Sequence, residues 1–114
     1  MRKTDKKIDN QLIKVLTGVC DMALKEIKGF EWLTHLVNYS NFPKSLKIVC
    51  VFDNNENLKL FKSNANNQQK LQKLIQSKLL EVDVKVKNIV AHLGYDTQEN
   101  CEKEHDGNWA KRLV

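Results

Sequence analysis

Arginine is nearly missing from this basic chain: of its 19 lysine and arginine residues only Arg2 and Arg112 are arginine, one near each end. The guanidinium fork is what grips a phosphate through paired hydrogen bonds, so dense bidentate phosphate recognition is not expected. Cysteine is also sparse. Cys20, Cys50 and Cys101 are odd in number and make neither a CxxC pair nor a disulfide framework. Cys20 and Cys50 stand in apolar contexts and read as reduced core residues, which favours a reducing compartment. Pro43 is the only proline, and the four glycines (18, 29, 94 and 107) build no GxGxxG or GxxxxGK[ST] phosphate loop. Long apolar runs are absent as well. Ile48-Val49-Cys50-Val51-Phe52 falls far short of the roughly 18 to 20 residues that span a bilayer, and the basic start lacks the apolar stretch of a secretory signal. No membrane insertion is expected, and the expected location is the cytoplasm.

What the chain does have suits one domain. Its 114 residues are 41% hydrophobic and 29% charged, enough apolar material for a single core over residues 1–114 and too much for a disordered polymer. The net charge of +5 is unevenly placed: residues 44–87 carry nine lysines against four acids, whereas 96–106 carry five acids and only Lys103. Such asymmetry predicts a basic surface and an acidic one.

The hydrophobic pattern predicts helix, strand, strand, helix, helix, strand, helix. Ile8, Leu12, Val15, Leu16, Val19, Ala23 and Ile27 recur at three- and four-residue steps, which predicts a first helix from residue 4 or 5 to 28, closed by Gly29. Residues 30–39 and 46–52 read as two strands joined by a short turn at Pro43, an antiparallel hairpin. Asp53-Asn54-Asn55 can cap a following helix, whose apolar edge is Leu58 and Phe61. Ser63-Asn64-Ala65-Asn66-Asn67 should break it, because these side chains compete for backbone hydrogen bonds. Leu71, Leu74, Ile75 and Leu79 then restore a helical stripe. In residues 82–93 the alternation of Val82, Val84 and Val86 with charged neighbours predicts a third strand with a bulge near Asn88. Asp96 and Glu99 have the spacing of a capping box for a helix over 97–105, and the stretch from Trp109 is an amphipathic tail expected to dock on the domain. The expected fold is α+β, a small three-stranded sheet packed by helices.

This order, over residues 5–93, resembles that of the type II KH domain and of ribosome-binding factor A. Phe52-Asp53-Asn54-Asn55-Glu56 is similar to the end of the second strand and the start of its helix in the latter, and residues 67–89 to its last helix and strand. The resemblance implies binding to RNA or the ribosome. The chain departs from the KH pattern in having no GxxG between the paired helices. Trp32-Leu33-Thr34-His35-Leu36-Val37-Asn38-Tyr39 and Val49-Cys50-Val51-Phe52-Asp53 also resemble a small bacterial family loosely labelled Fis-like regulators. Fis proteins end in a helix-turn-helix, and the acidic C-terminal region supplies no second recognition helix, which makes DNA regulation the weaker alternative.

Four groups of side chains have chemistry to offer. Cys101 and His105 are spaced as two metal ligands on one helix face, but two ligands do not make a site, and no metal or cofactor is expected. His35 beside Trp32 reads as a partly buried, satisfied strand histidine. Phe30, Trp32 and Tyr39 suit a core better than a base-stacking platform. No serine or cysteine stands in a motif with a base and an orienting group, so the chain is expected not to be an enzyme. The fourth group is the joint. Lys59, Lys62, Lys70 and Lys73, with Asn64, Asn66 and Asn67, are the expected phosphate contacts of a nucleic-acid-binding protein, placed beside the start of the later helix. The alternative expectation is a protein-interaction or homodimeric accessory protein.

Overall fold

The computed structural model describes residues 2–113. Helix α1, Lys3–Glu26, buries Leu12, Val15, Leu16, Val19 and Ala23, the stripe that the three- and four-residue spacing predicts. It ends two residues earlier than expected, at Glu26, and the N–H of the capping Ile27 still donates to the Ala23 carbonyl. The reversal falls to Gly29 at φ +84°, where a Cβ would lie 2.5 Å from Asn57 Cβ, so both conformation and space require glycine.

Strands β1, Phe30–Leu36, and β2, Lys47–Phe52, form the expected antiparallel hairpin. β1 is shorter than residues 30–39 because the Asn38 side chain accepts from Ser40 N–H and starts a 3-10 turn over Tyr39–Asn41. An irregularity between Phe30 and Trp32 keeps Phe30, opposite Phe52, on the same face as Leu33, opposite Cys50. Helices α2, Asn55–Lys62, and α3, Ala65–Leu80, follow, with the break at Ser63 and Asn64 where the polar run predicts it.

The third strand is not residues 82–93. It is β3, Leu93–Thr97, and it pairs parallel to β2, giving a mixed sheet in the order β1-β2-β3. Residues 81–83 form a turn off the end of α3, and 84–88 run on without a ladder partner. Asp83 takes φ +59° as the chain leaves α3, Val84 N–H bonds to Leu79 O, and Val84 is buried while Val82 and Val86 pack against the core edge. Period-two alternation here records a chain lying across the core, which needs no strand neighbour. Asn88 makes no bulge: its side chain accepts from Val90 N–H and opens a 3-10 turn at Ile89–His92.

One face of the sheet, with Ile48, Cys50 and Phe52 at its centre, carries the main core shared with α1, α2 and α3. Burying each such side chain is worth roughly 1.5–3 kcal/mol. The opposite face of β2 carries Val49 and Val51, both buried, and helices close over its Val51 end. There Val51, flanked by Trp32 and Asp96, is closed over by helices α4, Gln98–His105, and α5, Trp109–Arg112: Trp109 packs edge-on against Trp32 at 4.9 Å, and Arg112 pairs with Asp96. The C-terminal stretch thus docks as expected. Among the described residues no helix is long and apolar enough to cross a membrane.

Candidate functional site

The α2–α3 joint is built by two asparagine caps. Asn54 accepts from Asn57 N–H at 2.8 Å to start α2, and Asn64 accepts from Asn67 N–H at 3.1 Å to start α3, so only Ser63 and Asn64 separate the two helices. Gln68 returns its amide to the Lys62 carbonyl, and Ser63 Oγ donates to Leu60 O at 2.9 Å, which ties off the end of α2. The N–H groups of Ala65 and Asn66, at the start of this 16-residue helix, have no carbonyl one turn back to bond.

This joint faces the end of α1 across a cleft of about 550 Å³, lined by Ile27, Lys28, Leu60, Asn64, Asn66 and Asn67 among others. A second cleft of about 260 Å³ continues along α1 and α3, with Asn67 and Ile27 common to both and Lys70 and Glu26 on its walls. Asn64, Asn66, Asn67 and Lys70 therefore come together on one groove. The other three expected contacts do not. Lys62 stands over the Tyr95 ring, 5.7 Å from its centroid, while Lys59 and Lys73 are exposed and line neither cleft. Tyr95 itself is pressed against Phe61, and burial pushes its phenol up to about 12. Lys28 joins the groove although no pattern near it marks the site; only the folding of α1 against α3 places it there.

The remaining candidates are dispersed. His35 Nε2 lies 2.8 Å from Asp9 Oδ1, and the Tyr39 hydroxyl donates to the same oxygen at 2.6 Å, so His35 is a satisfied strand histidine that fastens α1 to the end of β1. The Tyr39 bond, and then the His35 bond, hold the Asp9 carboxyl below the ordinary carboxylate range. Phe30 packs on Phe52 in the main core, Trp32 faces Trp109 on the opposite side, and Tyr39 lies beside Phe42, so the three make no common platform. Cys101 is buried under α4, whereas His105 Nδ1 meets Arg112 at 3.2 Å. No group of three or more His, Cys, Asp or Glu placed to hold a metal occurs among the described residues.

A polar knot at the ends of the parallel strands escaped the sequence reading. Thr97, fully buried, donates to Asn55 Oδ1 at 2.7 Å and accepts from Asn100 N–H at 3.0 Å, while Asn55 Nδ2 donates to Asn100 Oδ1 at 2.8 Å. Thr97 and not Asp96 is the cap of α4. Glu99 reaches across to accept from Asn55 N–H, a bond that, with Lys103, holds its carboxyl below the ordinary range. The knot locks the start of α4 to the start of α2. The buried Thr97 hydroxyl spends both its donor and its acceptor inside the knot, which makes the knot a clamp. No protein-family model, curated protein or solved structure matches this chain.

Proposed function

We propose that this is a small, non-enzymatic nucleic-acid-binding accessory protein, acting on RNA or the ribosome, that receives phosphate groups in the groove at the α2–α3 joint. The observation carrying this reading is the convergence of Asn64, Asn66, Asn67, Lys28 and Lys70 beside the start of α3. Free N–H groups at a helix start favour an anion, amide side chains add directional donors, and lysines supply the counterion-release term. The helix-strand-strand-helix-helix-strand order resembles that of the type II KH domain and supports the same reading, although the third strand is Leu93–Thr97 and lies beyond the stretch 67–89 on which that likeness rests. With no GxxG at the joint, backbone approach gives way to the amide side chains as the phosphate contacts.

The test is binding of a mixed-sequence single-stranded RNA, and of ribosomal subunits, across a salt series. Wild type should weaken steeply as salt rises, and Lys28→Glu with Lys70→Glu should weaken binding at low salt by at least about tenfold. No association of either partner with wild type, or equal association with the variant, defeats the proposal.

One observation favours a second reading. Leu60 and Met22, which line the same groove, are 54% and 44% exposed, and a protein segment or a second copy would cover such apolar surface. Sedimentation showing a dimer that Leu60→Asp converts to a monomer would move the assignment to a homodimeric interaction protein.

A further inference from the structure

We propose a second site, distinct from the joint: the cleft between Pro43-Lys44 and residues 85–92 binds a phosphate oxyanion. Because β2 and β3 run parallel, the segments leading into them arrive side by side at one end of the sheet. The turn before β2 brings Pro43 and Lys44, the stretch that follows α3 brings Lys85, Val86 and Lys87, and the 3-10 turn just before β3 brings His92. Together they enclose about 290 Å³, close to the lower size of small-ligand sites, roughly 300 Å³.

The lining chemistry is one-sided. No aspartate or glutamate lines the cleft, and Lys44, Lys85 and Lys87 are exposed and make no ion pair among the described residues. Holding like charges around one small space is unfavourable until an anion enters. His92 adds a directional element. Its Nδ1 lies 2.6 Å from the Leu46 carbonyl, which can only accept, so Nδ1 carries the proton and the ring orientation is set. Nε2 is then the nitrogen that can take up a proton and donate to an oxyanion. Pro43 and Val86 supply an apolar wall, which suits a phosphate carried on an organic group such as a ribose. A free nucleotide and a nucleic-acid backbone share this chemistry, and the site requires only the phosphate.

The experiment is a nuclear magnetic resonance titration of the whole chain with inorganic phosphate, adenosine monophosphate and a short single-stranded RNA. Expected are saturable shifts of the His92 ring signals and the Lys85 and Lys87 amides with all three probes. Lys85→Glu with Lys87→Glu should weaken them at least about tenfold, whereas Lys28→Glu with Lys70→Glu should leave them unchanged. Tighter response to RNA than to the monophosphate identifies a backbone as the source, and equal response identifies a free nucleotide; either supports the site. Shifts spread evenly over the lysines, no saturation at His92, or unchanged titration of the Lys85/Lys87 variant with its spectrum still well dispersed overturns it. Failure here leaves the joint reading intact, because the Lys28/Lys70 variant reports on that groove alone.

Discussion

Arg112 grips Asp96 through two bonds of one guanidinium, with Nη2 2.9 Å from Oδ1 and Nε on Oδ2, and so pins the last helix across the back of the parallel strand pair. Both side chains are largely shielded, and the Asp96 and Glu104 carboxylates drive the guanidinium's affinity for its proton upward. Arg112→Ala should cost about 2 kcal/mol, the scale of lost charge-assisted bonds, and Arg112→Lys should recover little because lysine lacks the fork. Urea denaturation midpoints of the three proteins test this; a fully restored lysine variant would contradict it.

The Asp9 carboxylate makes the fastening of α1 sensitive to acid. Its folded affinity for protons is depressed, first by Tyr39 and then by His35, so its contribution to stability is complete above the unfolded value of about 4 and is lost as pH falls through the lower folded value. The stability difference between wild type and Asp9→Asn should be constant near neutrality and shrink below about pH 4. Tyr39→Phe should reproduce part of the loss. Thermal melts at stepped pH measure both, and a gap that widened on acidification would refute the assignment.

Thr97 is isosteric with valine, which isolates its hydroxyl. Thr97→Val removes the α4 cap and the Asn55 bond inside a fully buried position and should destabilise by about 2 kcal/mol, while Thr97→Ser should retain most of the stability. Equal denaturation curves for valine and wild type would show that the knot is ornamental to folding.

Two glycines should behave oppositely. Gly29→Ala places a Cβ at φ +84° against Asn57 and Asp53 and should cost about 2 kcal/mol or more, since conformation and clash add. Gly94→Ala is crowded by the flexible stem of Lys47 alone, with Cε at 2.9 Å, and that side chain can swing away, while Val49 Cγ2 at 3.9 Å is in ordinary contact. Its loss should stay below about 1 kcal/mol. Paired melting temperatures decide the matter.

These contrasts mark what a sequence can carry. The stripe of α1, the hairpin and the break at Asn64 follow from local periodicity and capping, which act within a few residues. β3 was obscured because Leu93–Thr97 includes Gly94 and Asp96, poor strand formers whose pairing is supplied by β2 alone, while the valines at 82, 84 and 86 mimic a strand without a neighbour. The joint's asparagines were legible from composition. Lys28, and the meeting of Lys44 with Lys85 and Lys87, were not, because segments far apart in the chain create them only after folding.

The parallel pairing of β2 with β3 also orders events in time. The β1–β2 hairpin closes through a short turn, but Ile48 cannot meet Leu93 until the chain between them has wound into α2 and α3. During that interval the most apolar strand of the protein presents an open edge of unpaired N–H and C=O groups. Refolding yield should therefore fall with protein concentration, as intermolecular strand addition at β2 competes with the arrival of its own partner.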